Sequence, residues 1–195
     1  MTTAAPETLT DRLTGQHVTL WPYARGCYPR QTLATLWQMV EQEGGADRIF
    51  HAQQAPRETP TPTRGDLVSF VRYFEPEPAG SRLLLMVQSR ADDQLAGLFW
   101  FDDIVLGHRA SANVFYRRRY WGEAAREASR LACRYGFEHL GYRTIWAMTP
   151  WPLAVSHAEA IGFERVAVLP GYCLLEETPA DLVVLRLERE GFDAG

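Results

Sequence analysis

The sequence predicts an α/β (α+β) domain with a mixed, mostly antiparallel central sheet, a splayed parallel strand pair and helices on both faces. Three strand-like runs joined by short turns lie between residues 81 and 117, which predicts an antiparallel meander. A long helical stretch, 122–140, separates the last run from the short apolar run 144–149. A strand–helix–strand unit of this kind places its two strands parallel, with a right-handed crossover. Because antiparallel strands flank that pair, we expect it to separate at one end and open a cleft.

The other elements follow from the spacing of apolar residues. Alternation over 17–22 is typical of a strand, and apolar residues at i, i+3, i+4 and i+7 predict two short helices before the meander. A proline-bearing loop over 52–64 joins these two helices. The predicted strands are 17–22, 82–89, 94–103, 111–117, 144–149, 163–169 and 181–189, and the predicted helices are 33–40, 67–74, 122–140 and 152–161, with a connection over 170–180 between the last two strands.

Length and composition indicate one soluble domain. The chain has 195 residues, and we expect a flexible N-terminus over 1–15 followed by a single domain over 16–190. A net charge of −4 argues against a nucleic-acid partner. There is no membrane-length apolar run and no secretion signal, so we expect a cytoplasmic protein without a membrane partner. Three widely spaced cysteines form neither a disulfide framework nor a metal pattern, so we expect no metal.

The segment 114–128 is the part of the sequence that points to chemistry. It reads as the end of a strand, a tight turn with three arginines and a glycine, and the start of the long helix. The first four amides of a helix have no partner within the helix, and the helix dipole adds positive charge there. Such a place binds phosphate. We therefore predict an anion site at this turn, at the mouth of the cleft.

The same segment carries a family motif. The pattern Val-x-Pro-x-x-Arg/Gln-x-x-Gly-x-Gly/Ala is matched by Val114, Arg119, Gly122 and Ala124, with Tyr116 in the position of the proline. An Ile-Gly-Phe sequence at 161–163 follows the short helix, as in the same family. In these motifs and in the order of its elements the chain resembles the GNAT superfamily of N-acetyltransferases. The amino-acid sequence over 120–128 is most similar to that of the branch of the ribosomal-protein alanine N-acetyltransferases.

The resemblance implies an enzyme, an acyltransferase that moves an acetyl group from acetyl-CoA directly to a primary amine of a small molecule or a protein N-terminus. It implies that the pantetheine arm pairs with the backbone of 114–116 and that the amides of 119–125 hold the pyrophosphate. The arginines would add charge-assisted bonds to phosphate. The implied donor-binding residues are Val114, Phe115, Tyr116, Arg117, Arg118, Arg119, Tyr120, Trp121, Gly122, Glu123, Ala124 and Ala125.

The sequence departs from the family where an acid would act on the leaving thiolate. The family's tyrosine position is Ala158 here, and its asparagine position is Trp151. His157, next to the tyrosine position, and Tyr172, in the following connection, are the candidates for this role. Ser156 is a further neighbour. The identity of the acid therefore stays open at this point.

The base that deprotonates the amine is open as well. The resemblance places a carboxylate six residues before Val114, where this chain has His108. A neutral imidazole suits that role near neutral pH. Asp102 and Asp103 at the end of a predicted strand are alternatives, and so is deprotonation through water.

Two other functions remain open from the sequence. One is a GNAT-like module with weak or no activity that binds CoA and acts through partners, which the departures at Ala158 and Trp151 favour. The other is modification of a nucleic acid, against which the acidic charge argues. The acceptor amine cannot be read from the sequence, and neither can the oligomeric state, for which a homodimer is one outcome.

Overall fold

The structure is a computed structural model that describes residues 12–23, 28–29, 31–45, 66–75, 82–175 and 178–193. The predicted loop over 52–64 and most of the predicted N-terminal segment lie outside these residues. Within the described ranges, no helix is both long and apolar enough to cross a membrane.

Eight strands form one sheet, in the order β1-β2-β3-β4-β5-β6-β8-β7. All neighbouring pairs are antiparallel except β5 and β6, which are parallel, so the predicted fold class is confirmed. The strands are β1 Leu13–Thr14, β2 Val18–Tyr23, β3 Leu83–Ser89, β4 Leu95–Val105, β5 Arg109–Tyr116, β6 Thr144–Thr149, β7 Glu164–Leu175 and β8 Thr178–Glu188. The helices are α1 Gln31–Gln42, α2 Leu67–Phe74, α3 Glu123–Glu138, α4 Pro152–Ala160 and α5 Arg189–Asp193, with a 3₁₀ helix at Arg118–Tyr120.

Helices cover both faces of the sheet because consecutive strand residues point to opposite sides. On β4, Phe99 packs in a core with α3 and α4, whereas its neighbour Trp100 packs in a second core with α1 and α2. The face of α3 that meets the sheet is rich in small residues, such as Ala128 and Ala132, both fully buried. Small side chains let this helix lie close against the strands.

The last two strands are longer than predicted. The connection expected over 170–180 is wrong, since β7 runs to Leu175 and β8 begins at Thr178. The pairing of β7 with β8 shifts between Leu169 and Cys173, and Gly171 in that bulge has a φ of +61°. A bulge takes residues out of the hydrogen-bonded ladder, so it accommodates the turn-forming pair Pro-Gly within a strand.

The parallel strands β5 and β6 pair over a very short distance. Their register runs from Arg109 opposite Thr144 to Ser111 opposite Trp146, three residue pairs in all. Beyond these pairs β5 continues to bond only with β4, and β6 continues only with β8. The strands therefore separate as the sequence predicted. We call the gap between 112–116 of β5 and 147–149 of β6 the cleft.

Candidate active site

The cleft opens into a cavity of about 730 Å³ bounded by β5, β6, the start of α3 and α4. All five residues from Ala112 to Tyr116 line it. Val114 packs toward the core with α3, and Phe115 belongs to the core with α1 and α2. The cavity therefore borders residues of both cores, the one packed with α3 and the one packed with α1 and α2.

Among the described residues, no strand pairs with the edge of β5 that borders the cavity. Over this stretch β5 is bonded to β4 on its other side, with Ala112 opposite Phe101 and Tyr116 opposite Gly97. Alternate backbone groups of a strand paired on one side only point toward the free side, where an extended ligand can bond to them. The carbonyl of Tyr116 is already bonded there, since it accepts from the indole Nε1 of Trp121 at 3.0 Å.

The turn after β5 brings the N-terminus of α3 to the cavity. Gly122 precedes the helix with φ 98° and ψ −132°, a conformation that only glycine adopts readily. A Cβ added at Gly122 would meet no atom within 4 Å, so there is open space directly in front of its backbone. The unpaired amides of the first helical turn and the side chains of Arg118 and Arg126, which line the cavity, make this end suited to an anion.

The three consecutive arginines have different neighbours. The Nε of Arg117 donates to Glu43 at 3.1 Å, which joins the turn to the end of α1. Arg119 lies 3.7 Å from Asp92, on the β3–β4 turn. Only Arg118 of the three lines the cavity.

A buried hydrogen-bonded chain leads into the cavity from the sheet. The hydroxyl of Tyr116 lies 2.8 Å from Ser129 Oγ on α3, and Ser129 Oγ lies 2.9 Å from Nε2 of His157 on α4. His157, one of the predicted candidates for the acid, lines the cavity. Burial lowers the pKa of His157 to about 4, and the positive charges of Arg126 and Arg130 act in the same direction. Its imidazole is therefore neutral at physiological pH.

The other two predicted catalytic residues lie away from the cavity. His108 is exposed in the turn between β4 and β5, and its carbonyl accepts from the amides of Arg143 and Thr144 at the closed end of the parallel pair. Tyr172 is on β7 at the edge of the sheet and is 47% exposed. The structure therefore does not bring His108 or Tyr172 together with His157.

The alternative base Asp102 lies beside the cavity without lining it. Its Oδ2 accepts from the hydroxyl of Tyr73 at 2.7 Å. Burial raises the pKa of Asp102, and the hydrogen bond from Tyr73 opposes this shift. Asp103 is exposed. Among the cavity residues that the structure describes, none is an aspartate or a glutamate.

The structure sorts the predicted donor-binding residues into two groups. Those that line the cavity are Val114, Phe115, Tyr116, Arg118, Trp121, Gly122 and Ala125. Those that do not are Arg117, Arg119, Tyr120, Glu123 and Ala124. Trp151 and Ala158, at the two positions where the sequence departs from the family, both line the cavity.

Sequence reasoning missed Ser129, Arg126 and Asn113, all of which line the cavity. Ser129 carried a signal, because it lies on the same buried face of α3 as Ala125 and Ala132. A polar side chain on an otherwise apolar buried face needs a partner.

The comparisons with known proteins support the fold. No family profile and no curated protein matches the sequence. Among solved structures, a GCN5-related N-acetyltransferase from Brucella melitensis is similar with a TM-score of 0.69, at 18% identity over 97% of this chain and 83% of that one. A spermidine N-acetyltransferase from Vibrio cholerae, in complex with CoA and spermine, is similar with a TM-score of 0.65, at 17% identity over 89% of this chain and 97% of that one. The chain therefore has the fold of the GNAT N-acetyltransferases.

Proposed function

We propose that this protein is an N-acetyltransferase that moves an acetyl group from acetyl-CoA to a primary amine. One observation carries the proposal: the free edge of β5, the N-terminus of α3 and the neutral His157 all border a single cavity. The first two features suit the pantetheine arm and the phosphates of CoA, and the third suits the sulfur. The fold shared with CoA-dependent acetyltransferases agrees with this assignment.

Acetyl-CoA fits the groups on the α3 side of the cavity. The backbone groups of Val114 that face the free edge would pair with the pantetheine amides, and pairing at the Tyr116 carbonyl would require Trp121 to release it. The amides that follow Gly122 would hold the pyrophosphate, with Arg118 and Arg126 as its charged partners. The open space before Gly122 is the room that a phosphate needs.

The acceptor amine would approach from the side of Trp100 and Phe115, the lining residues that belong to the core with α1 and α2. An acetyl thioester supplies a carbonyl carbon that an unprotonated amine can attack. A backbone amide near Val114 would bond the carbonyl oxygen as negative charge develops on it. Since no carboxylate of the described residues lines the cavity, water would carry away the proton of the amine. Whether the acceptor is a small amine or a protein N-terminus, as in the ribosomal-protein branch, is a choice for experiment.

The test combines binding with turnover. Calorimetry measures the binding of acetyl-CoA, and a thiol reagent measures CoA release with spermine, an aromatic monoamine and a peptide with an N-terminal alanine. We expect micromolar to millimolar binding and release with at least one amine. Binding without release from any amine would instead support a CoA-binding module, and no binding at millimolar acetyl-CoA would exclude both functions.

A further inference from the structure

The buried chain from Tyr116 through Ser129 to His157 determines where the proton of the imidazole lies. We infer that Tyr116 and Ser129 are positioning residues that hold His157 as the tautomer with its proton on Nδ1, so that Nδ1 donates a hydrogen bond to the sulfur of the acyl donor. The role toward sulfur rests on the proposed acetyl transfer, whereas the tautomer does not depend on it.

The numbers of donors and acceptors along the chain from Tyr116 to His157 fix the direction of its hydrogen bonds. The hydroxyl of Tyr116 is buried, and Ser129 Oγ at 2.8 Å is its sole hydrogen-bond partner among the described residues. A buried O–H that donates to nothing is costly, so Tyr116 donates to Ser129. The single proton of the Ser129 hydroxyl is then free for Nε2 of His157, 2.9 Å away. Nε2 therefore accepts, and in a neutral imidazole the proton must be on Nδ1.

The opposite direction of the chain leaves a donor unused. If Nε2 carried the proton, it would donate to Ser129, and Ser129 would either donate to Tyr116 or accept from Tyr116 as well. The phenolic proton of Tyr116 in the first case, and the hydroxyl proton of Ser129 in the second, would have no acceptor within the described part of the chain. Burial also raises the pKa of Tyr116, so the phenol cannot solve this problem by losing its proton.

The surroundings keep the imidazole neutral. Arg126 and Arg130 of α3 and the phenol of Tyr116 on β5 are the charged or titratable groups of the described residues that face the ring. The two arginines oppose a second positive charge, as burial does. His157 therefore meets a ligand as a neutral donor through Nδ1, which has no hydrogen-bond partner among the residues that the structure describes.

A donor of this kind assists transfer without giving up its proton. The nitrogen of the amine bonds to the acetyl carbon, the carbon–sulfur bond breaks, and the electron pair stays on sulfur as thiolate. The surplus proton of the amine leaves through water. Nδ1–H bonds the sulfur as negative charge develops on it and remains on His157, because only Ser129 or Tyr116 could supply a replacement proton to Nε2, and burial raises the pKa of Tyr116. The GNAT family has a tyrosine at the position of Ala158, and an alanine cannot donate a hydrogen bond to sulfur. His157, the preceding residue on the same helix, takes this role.

Nitrogen-15 NMR of the full-length protein with labelled histidine tests the tautomer directly. The imidazole correlation pattern differs between the two neutral tautomers, and His157→Asn assigns the signal by removing it. We expect the Nδ1–H pattern at neutral pH in the wild type, and a shift toward Nε2–H in Tyr116→Phe, in which Ser129 can reverse its direction. Tyr142→Phe, which changes a buried tyrosine outside this chain, should leave the pattern unchanged. A dominant Nε2–H pattern in the wild type would overturn the inference.

Titration with CoA tests the role toward sulfur apart from turnover. Calorimetry first shows that CoA binds; the Nδ1–H resonance should then move downfield with CoA and move less with desulfo-CoA. If CoA binds and the resonance does not move, the role toward sulfur is wrong even though the tautomer stands. If CoA does not bind, the proposed function fails as well.

Two substitutions at one position give the kinetic test. Asparagine places an amide N–H near the position of Nδ1, and glutamine places one near Nε2. We expect His157→Gln to lower kcat about a hundredfold with little change in KM, because it removes one donor that acts in the transition state. We expect His157→Asn to retain clearly more activity than His157→Gln. Equal losses in the two variants would contradict donation from Nδ1.

Discussion

At the scale of single residues, three adjacent arginines divide two tasks among them. Arg117 is paired with Glu43, just after α1. Arg119 is paired with Asp92 of the β3–β4 turn, so both arginines hold the turn in place. The 3₁₀ helix has three residues per turn, which points successive side chains about 120° apart. Arg118 is the member of the three that is directed to the cavity. The spacing of the family motif alone favours Arg119 as a phosphate ligand. In the structure Arg118 lines the cavity, whereas Arg119 does not.

This difference gives a prediction about CoA affinity. Arg118→Ala should weaken CoA binding about tenfold, because it removes one charge-assisted partner of the phosphates. Arg119→Ala removes the same charge from the same turn and should change the affinity by much less. Calorimetric titration of both variants with CoA at fixed salt distinguishes them, and an equal loss would place the phosphates elsewhere.

The buried imidazole gives a prediction about stability and pH. The pKa of His157 is lowered from 6.5 to about 4 in the folded protein. Between these pH values the unfolded chain binds a proton that the folded protein excludes, so the free energy of unfolding falls as the pH falls through this window, by about 3 kcal/mol in all.

Urea unfolding across that window provides the measurement. His157→Gln has no titrating group at this site and should show a weaker dependence on pH than the wild type. Leu153→Gln, an exposed change on the same helix, should keep the dependence of the wild type. Parallel curves for the wild type and His157→Gln would mean that the imidazole is solvated.

At the scale of elements, α3 is tied to the sheet by one carboxylate as well as by packing. Glu127 accepts from the backbone amides of Gln16 and His17 at 2.6 Å each and from Val18 at 3.0 Å. These amides belong to the turn between β1 and β2 and to the first residue of β2. The helix that offers its N-terminus to the cavity is therefore fixed to the first strands of the fold.

Loss of this carboxylate should destabilise the fold. Glu127→Ala leaves three amides without a charged acceptor, and we expect the free energy of unfolding to fall by about 2 kcal/mol. Glu138→Ala, an exposed change at the end of the same helix, serves as the control and should have little effect. The two urea midpoints give the answer; equal midpoints would show that water replaces the carboxylate at no cost.

Most elements could be predicted because their signals are local. The alternation in β2 and the apolar spacing of α2 are contained in a few consecutive residues, and the strand–turn–helix at 114–124 was recognisable for the same reason. The strand residues over 170–180 could not be predicted in this way. A Pro-Gly pair such as Pro170 and Gly171 usually indicates a turn, and only pairing with β8 places it in a bulge within a strand. Local signals do not report which segments will pair.

The site was harder to predict because it forms between elements. Tyr116, Ser129 and His157 are separated by 13 and 28 residues along the chain and meet only when α3 and α4 pack on β5. His157 was found through its place beside a family motif, and its partners were not. His108 was expected near the site from spacing along β5, yet it lies at the closed end of that strand.

At the scale of the whole molecule, the cavity divides the sheet into two halves that meet at three residue pairs. If CoA occupies the cleft as proposed, it adds backbone bonds to one half only. Hydrogen exchange should then slow at the amides of 112–116 and in the first turn of α3 when CoA is added, whereas Leu85 and Val87 of β3 should exchange as before. Mass spectrometry of peptides resolves these segments, and unchanged exchange over 112–116 at saturating CoA would exclude this mode of binding.

The position of the cavity beside both cores has a consequence for the order of events in turnover. Under the proposed function, donor and acceptor approach the cavity from opposite faces of β5, so neither blocks the arrival or departure of the other. Steady-state kinetics should therefore give intersecting double-reciprocal lines, and each product should inhibit competitively against the substrate that approaches from the same face. Parallel lines would instead indicate an acetylated enzyme as intermediate. The two cysteines that the structure describes are poorly placed to carry the acetyl group, because Cys133 is buried among apolar residues and Cys173 lies on the distant strand β7.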